Sequence, residues 1–318
     1  MTEEDLIAYV TRAFGGGKGR GVEVGIGDDA AVIALGESRA VVTTDALFEG
    51  VHFDLRWISA AEVGARAVEV NLSDLAAMGA EPHSLLLAIG ARAPLDEELV
   101  RTVIDAFASR ARDRGCSVVG GNFSRAAELS LTVTAIGTLP RDVPALLRSG
   151  ARPGDHLLVS GPLGAAALGL RLVAAGLEAA PGARAAVERF RAPRARVDVG
   201  RSLSGLATSA IDVSDGLALD LERLARASGV GAVVRIDRVP TIAGHADLAR
   251  LVGASPVDLA LGGGEDYELL FTLPPAESAR ADTLGATRIG EIVAGAGAIF
   301  LDSDGQRASP GAVGFQHF

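Results

Sequence analysis

Ala210-Ile211-Asp212-Val213-Ser214-Asp215-Gly216-Leu217 reads as an apolar strand that passes through two carboxylates and a glycine into a helix. The apolar, β-branched residues predict a strand over 209–213, and the pattern after Gly216 predicts a helix over 217–228. A strand that turns directly into a helix belongs to α/β or α+β architecture. Acids on a solvated surface usually sit on helices with basic neighbours four residues on, whereas Asp212 ends an apolar strand. Asp215 alone also fits a helix cap. With Asp212 three residues before it, the sharper reading is a contribution to a metal cluster.

Downstream of this junction, strands are predicted over 231–236, 267–272 and 288–292, with a Gly-rich turn at Gly262-Gly263-Gly264. Upstream, a strand over 155–160 leads past Gly164 into a helix, and a further helix spans 197–206. The first part of the chain predicts a helix over 3–14, strands over 30–35 and 40–44, a helix over 59–78, a strand over 84–89 and a helix over 95–114. Strands over 116–119 and 129–139 close this block. Residues 140–154 carry three prolines and several charges, which places the expected domain boundary there. The expected division is 1–140, holding most candidate ligands, and 141–318, completing the nucleotide and substrate site. A chain of 318 residues exceeds the size at which one core usually stops growing, and two domains follow.

The net charge of −10 argues against general attraction to nucleic acid. The acidic start Met1-Thr2-Glu3-Glu4-Asp5 lacks the basic region of a secretory signal, and Arg171 interrupts the apolar run 165–175 before it could span a bilayer; a cytoplasmic location is expected. Cys116 is the only cysteine, which excludes an internal disulfide and a multi-cysteine metal site. Lys18 is the only lysine, so 29 of the 30 basic residues are arginine. Its surroundings, Gly15-Gly16-Gly17-Lys18-Gly19-Arg20, lack the spacing and the Ser or Thr of a P-loop. If the chain handles a nucleoside triphosphate, metal ions must do the neutralising.

Three further stretches carry acids in unusual places. Gly25-Ile26-Gly27-Asp28-Asp29-Ala30-Ala31-Val32 sets paired carboxylates between a Gly-rich turn and a strand, and Val41-Val42-Thr43-Thr44-Asp45 ends an apolar strand in two hydroxyls and a carboxylate. On the helix 59–78, Asn71 and Asp74 lie three apart on one face among apolar neighbours, where buried polar groups need a partner or a metal. Carboxylates and hydroxyls suit magnesium better than zinc, and the five histidines have no metal-ligand spacing. Magnesium normally accompanies phosphate. Val119-Gly120-Gly121-Asn122 and Ser160-Gly161-Pro162-Leu163-Gly164 could bring backbone N–H groups to phosphate oxygens, although glycine serves any tight turn equally.

The order and wording of six motifs resemble the thiamine-monophosphate kinase family: Gly25-Ile26-Gly27-Asp28-Asp29-Ala30, Thr43-Thr44-Asp45-Ala46-Leu47, 71–80, 148–155, Asp212-Val213-Ser214-Asp215-Gly216-Leu217, and 263–272 with its Gly-Gly-Glu-Asp-Tyr-Glu-Leu-Leu-Phe-Thr. The resemblance implies the two-domain α/β, mixed α+β, fold of the aminoimidazole-ribonucleotide synthetase superfamily and a homodimer. It also implies ATP-dependent conversion of thiamine monophosphate to thiamine diphosphate with several Mg2+ ions. Carried over by motif, Asp28, Thr43, Thr44, Asp45, Asp74, Asp212 and Asp215 resemble the magnesium ligands. Gly121, Arg148 and Ser214 resemble ATP contacts. His52 and Phe315 resemble substrate contacts, with Glu265 or Asp266 beside them.

Two departures from the family pattern stand out. Gly120-Gly121-Asn122-Phe123 replaces the usual Gly-Gly-Asp-Thr, leaving Asn122 to offer one neutral oxygen to a metal or ATP. Gly164-Ala165-Ala166-Ala167 replaces Gly-Asp-Ser-Ala. The implied reaction is direct in-line transfer without a covalent intermediate, since the accepting phosphate oxygen is already anionic and needs no general base. The alternative is a catalytically degenerate nucleotide-binding relative, motivated by Asn122. A selenophosphate synthetase or a hydrogenase-maturation relative would require cysteines absent here.

Overall fold

The computed structural model describes residues 8, 11, 21–308, 311 and 314. The expected helix over 3–14 therefore lies outside the described residues apart from helical Ala8 and Thr11, and so do Lys18 and Phe315. One sheet has the order β1-β2-β3-β6-β4-β5, built from β1 (Val22–Val24), β2 (Ala31–Leu35), β3 (Ser38–Phe48), β4 (Glu81–Ala91), β5 (Ser117–Arg125) and β6 (Ser130–Pro140). Only β4 and β5 run parallel; the other neighbours are antiparallel. The second sheet has the order β13-β12-β9-β11-β7-β10-β8. Its strands are β7 (His156–Val159), β8 (Ser209–Val213), β9 (Gly231–Arg235), β10 (Glu268–Leu273), β11 (Thr287–Val293), β12 (Gly297–Leu301) and β13 (Arg307–Ala308). Mixed sheets covered by helices are the α+β form of the expected class.

Between the two sheets lies α1 (Ala60–Ala77), which packs on β3 and β6 of the first and on β8 and β10 of the second. Its start is set by a capping box: Ser59 Oγ accepts from the Glu62 N–H, and the Glu62 carboxylate accepts from the Ser59 N–H at 2.7 Å. It ends at Gly79, whose φ of 71° lets the Gly79 and Ala80 N–H groups reach back to Ala76 and Leu75. Leu72, Leu75 and Met78 are fully buried in an apolar core that also contains Leu131 and Val133 of β6 and Leu269 and Phe271 of β10. Helix α2 (Glu97–Asp113) packs on the outer side of α1.

Several strands are longer than the apolar runs predicted. β3 continues through Thr44 and Asp45 to Phe48 because β6 pairs with it along its whole length, so Asp45 lies inside a strand and not at its end. β5 likewise runs through Gly120-Gly121-Asn122 to Arg125. Gly121 there has a packing reason, because a Cβ would sit 1.8 Å from the Leu87 carbonyl oxygen of β4. β8 and the helix after it, which we number α6 below, match their predicted bounds.

The second half contains α3 (Ala165–Ala174), α4 (Arg184–Arg191), α5 (Val197–Leu203), α6 (Leu217–Ser228), α7 (His245–Leu251), α8 (Pro256–Gly262) and α9 (Arg280–Thr283). Helices α4, α7 and α8 were not anticipated, since each is only seven or eight residues long and short helices carry little periodicity. α4 and the start of α5 are tied to the sheet by charge. Glu268, fully buried at the first position of β10, accepts from Arg189, from Arg196 Nε at 2.7 Å and from the Ser160 hydroxyl. Removing that carboxylate strands two guanidinium groups in a partly buried position. Glu268→Ala is expected to lower the urea-unfolding free energy by about 3–5 kcal/mol, whereas Glu188→Ala, which loses only an exposed partner of Arg184, should change it by under about 0.5 kcal/mol.

Candidate active site

The carboxylates of Asp29, Asp74 and Asp212 converge so that one oxygen from each lies within 4.8 Å of the others. They come from three different places: the loop before β2, α1, and β8. Each is held by a neighbour. Thr43 on β3 donates to Asp74 Oδ2 at 2.6 Å, Ser73 donates to Asp212 Oδ2 at 2.7 Å, and Arg148 Nη2 donates to Asp29 Oδ1 at 2.9 Å. Asp45 lies next to Thr43 on β3, and its backbone N–H donates to the Asn71 side chain at 3.1 Å. Asn71 and Asp74 are thus both used on the α1 face that meets β3.

Burial pushes the Asp74 carboxyl well above the usual range, followed by the charges of Asp212 and Asp29. Asp212 is raised for the same first reason, with Asp29 and Asp220 adding to it. Asp29 Oδ2 is buried without a hydrogen-bond partner among the described residues. Two buried carboxylates, one with an orphaned oxygen, a third half-buried one, and the Arg148 guanidinium beside them form a site short of positive charge.

Next to this cluster opens a cavity of about 520 Å³. Asp45, Asp74, Asp212, Ser214 and Asp215 line its acidic end, and Phe53, Trp57, Leu170 and Phe190 line the apolar part; His52, Glu265 and Tyr267 also face it. His52 is held by the Phe48 N–H, which donates to its Nδ1 at 3.0 Å. Glu265 accepts from Arg66, a fully buried arginine of α1 whose Nη1 also donates to the Phe190 carbonyl at 2.6 Å. Arg66 thereby connects α1, the wall provided by α4 and the loop before β10.

Of the expected ligands, Asp74, Asp212, Asp45 and Thr43 gather at the cluster, and Ser214 donates to Asp212 Oδ1 at 3.5 Å. Asp215 lines the cavity but is paired with Arg223, which also holds Asp220 at 2.9 Å. The Asp28 carboxylate accepts the Asp29 and Arg148 backbone N–H groups, and its neighbour Asp29 joins the cluster. The Thr44 hydroxyl donates to the Val133 carbonyl at 2.9 Å and accepts from Thr134, on the opposite face of β3 from Thr43. Asn122 and Gly121 are exposed on β5, three strands from β3 and outside the cavity lining; Asn122 donates to Ser124. Asp266 is buried and accepts the N–H groups of Gly164 and Ala166, capping α3, and is not among the residues lining the cavity.

Sequence reasoning missed Arg66, Trp57, Phe190 and Tyr267. A lone arginine on an otherwise apolar helix was a readable signal for Arg66, and Tyr267 stands inside the quoted 263–272 motif.

Residues 27–139 match the family described as AIR synthase related protein, N-terminal domain, and residues 152–302 match its C-terminal domain. The chain is 36% identical over 306 residues to the thiamine-monophosphate kinase of Salmonella typhimurium, covering 93% of this chain and 92% of that one. This chain belongs to the thiamine-monophosphate kinase family. A solved structure described as AaThiL complexed with AMPPCP and TMP superposes with a TM-score of 0.89 at 32% identity, covering 100% of this chain and 97% of that chain. The thiamine-monophosphate kinase of Stenotrophomonas maltophilia K279a gives a TM-score of 0.77 at 36% identity, covering 96% of each chain.

The raised carboxyls make stability depend on pH in a stated direction. Asp28 is pushed up to about 6 by burial and the Asp29 charge, Asp220 to about 7 by burial and Asp215, and Asp266 to about 7 by burial. Between the ordinary value of 3.8 and these values the folded chain binds more protons than the unfolded one, so stability is lost as pH rises. In the presence of a chelator, the urea midpoint at pH 8 is expected to lie below that at pH 5.5.

Proposed function

We propose that this enzyme transfers the terminal phosphoryl group of ATP to thiamine monophosphate, giving ADP and thiamine diphosphate. The observation that carries the reading is a cavity running from convergent carboxylates to an aromatic wall, on a chain of this family. Thiamine monophosphate is anionic at its phosphate and carries a cationic thiazolium beside an aromatic pyrimidine. Glu265 and the faces of Trp57 and Phe190 suit the cationic and aromatic portions, and His52 stands beside them.

Magnesium fits the cluster. Its donors are carboxylate oxygens, a hydroxyl lies next to them, and Asp29 Oδ2 lacks any partner among the described residues. Asp29, Asp74 and Asp212 would hold the metal, with Asp45 and Asp215 nearby. Bound there, it would neutralise charge on the phosphate oxygens. The protein's own part is positional: Thr43, Ser73 and Arg148 fix the three carboxylates, and the cavity orients the acceptor phosphate toward them. An acceptor oxygen forms the new bond to the terminal phosphorus of ATP as the bond to the bridging oxygen breaks and ADP leaves. That oxygen is already anionic, so no side chain needs to remove a proton.

The reading extends to a cytoplasmic homodimer. β5 is an edge strand exposed along its whole length, with Val119 and Phe123 60% and 69% exposed. Bare apolar edges invite pairing with a second copy. A role for Gly121 and Asn122 toward ATP would be exercised across such an interface, and Asn122 then leaves the three-carboxylate cluster intact. A charged substitution there, Phe123→Glu, is expected to shift light-scattering mass from two chains to one.

The activity itself is tested by chromatography of thiamine diphosphate formed from thiamine monophosphate, ATP and magnesium. No product above an Asp45→Ala control would refute the reading. Asp74→Asn and Asp212→Asn should each lower kcat by at least about 100-fold. Independently of turnover, magnesium should raise the urea midpoint more at pH 8 than at pH 5.5, because protons compete for the same oxygens.

A further inference from the structure

Glu265, Asp266 and Tyr267 form a short segment with an unusual backbone. Glu265 has φ of 69° and Tyr267 has φ of 50°, and they are the only non-glycine residues at positive φ among the described residues. For a bulky side chain such as tyrosine this region costs on the order of 1–3 kcal/mol. The segment is over-determined by its surroundings. The Glu265 N–H donates to the Ser214 carbonyl at 2.6 Å, the Tyr267 N–H donates to the Val213 carbonyl at 2.9 Å, and Asp266 between them is anchored at the start of α3. Backbone strain at both flanking positions turns Glu265 and Tyr267 to the cavity while Asp266 points away from it.

Tyr267 is only 7% exposed, yet its hydroxyl has no hydrogen-bond partner among the described residues. The ring is packed away while the hydroxyl opens to the cavity, where a ligand can reach it. Tyr267 lines the same cavity as Asp45 and Asp212 of the acidic group and Glu265, the partner of Arg66. Two other side-chain donors in the lining are already engaged: Arg56 pairs with Asp54, and Ser214 donates to Asp212. Arg66, behind the wall, is spent on Glu265 and the Phe190 carbonyl.

We propose that the Tyr267 hydroxyl is a positioning donor for the acceptor phosphate, holding the monophosphate of the substrate in the cavity between the carboxylate cluster and the aromatic wall. The proposal rests on the phosphotransfer reading above. Burial first, and then the Glu265 charge, push the phenol well above its ordinary range, so the group is an O–H donor at any working pH. A neutral donor is suited to this place. It satisfies an anionic oxygen without competing with the acids for the cation, and no bond to another protein group has to break when the phosphate arrives.

Tyr267→Phe removes the hydroxyl and keeps the ring. Calorimetric titration with thiamine monophosphate and with thiamine, which lacks the phosphate, separates a phosphate contact from general disturbance of the cavity. The variant is expected to bind thiamine monophosphate about 10- to 100-fold more weakly, the value of a hydrogen bond to a charged group, with thiamine affinity unchanged within about twofold. kcat/KM for thiamine monophosphate should fall by at least the same factor while KM for ATP stays fixed. Because the hydroxyl is unpaired in the free protein, the urea midpoint should stay level or rise. Unchanged affinity for thiamine monophosphate overturns the proposal, as does an equal loss for thiamine, or a destabilised variant that shows the hydroxyl is structural. Wild-type protein run alongside separates the two hypotheses: absent product refutes the phosphotransfer reading, and wild-type protein that binds thiamine monophosphate no better than thiamine refutes the role of Tyr267 as well.

Discussion

The structure is organised around the repulsion among Asp29, Asp74 and Asp212. Three carboxylates with oxygens inside 4.8 Å of one another, two of them substantially desolvated, would drive apart any chain free to move them. They stay together because each belongs to an element fixed by other forces. α1 is capped at both ends and buried among both sheets, β8 is hydrogen-bonded to β10 along its whole length, and the loop bearing Asp29 is tied down by Arg148. The apolar core therefore holds the acids in place against their charges, which is how a site short of positive charge is kept ready for a cation and phosphate.

What was legible in the sequence follows from the range over which each signal acts. The junction 209–217 was readable because an apolar strand, a glycine and an amphipathic helix follow one another locally, and tertiary contacts agree with that local pattern. The acids Asp74 and Asp212 were readable as buried polar groups in apolar company. Which of the adjacent carboxylates Asp28 and Asp29 meets the other acids is decided only by tertiary structure, which brings Asp29 to Asp74 and Asp212. For Thr44, β3 runs on through it, and alternation sends its hydroxyl to the face away from Thr43. Asp266 was unreadable in a different way, since the helix it caps begins about a hundred residues earlier in the chain. No local pattern announces such a contact.

Arginine use follows the same division. Buried Arg66 is spent on Glu265 of the cavity lining, and Arg189 and Arg196 on buried Glu268. Only Arg148 reaches the acid cluster, and it is committed to Asp29. The absence of a P-loop lysine inferred from the sequence is therefore matched by a site in which the protein's cations act on protein carboxylates. The guanidinium fork suits that work, because it satisfies two partners at once, as Arg66 does with Glu265 and the Phe190 carbonyl.

The segment 265–267 shows how strain and satisfaction are distributed in such a site. Asp266 is the satisfied member, with two backbone N–H donors at the start of α3. Its neighbours carry the unfavourable backbone, and both face the cavity. A chain optimised only for stability would place glycine or asparagine at these positions. Keeping Glu265 and Tyr267 there makes physical sense if their side chains are needed in the cavity, where a ligand supplies the missing partner. The same logic applies at the other end, where Asp29 Oδ2 is buried and unpaired. An orphaned acceptor among the acids and a hydroxyl donor on the cavity wall suit partners of opposite kind, a cation at one and an anionic oxygen at the other. A magnesium-bound phosphate presents both in a single ligand.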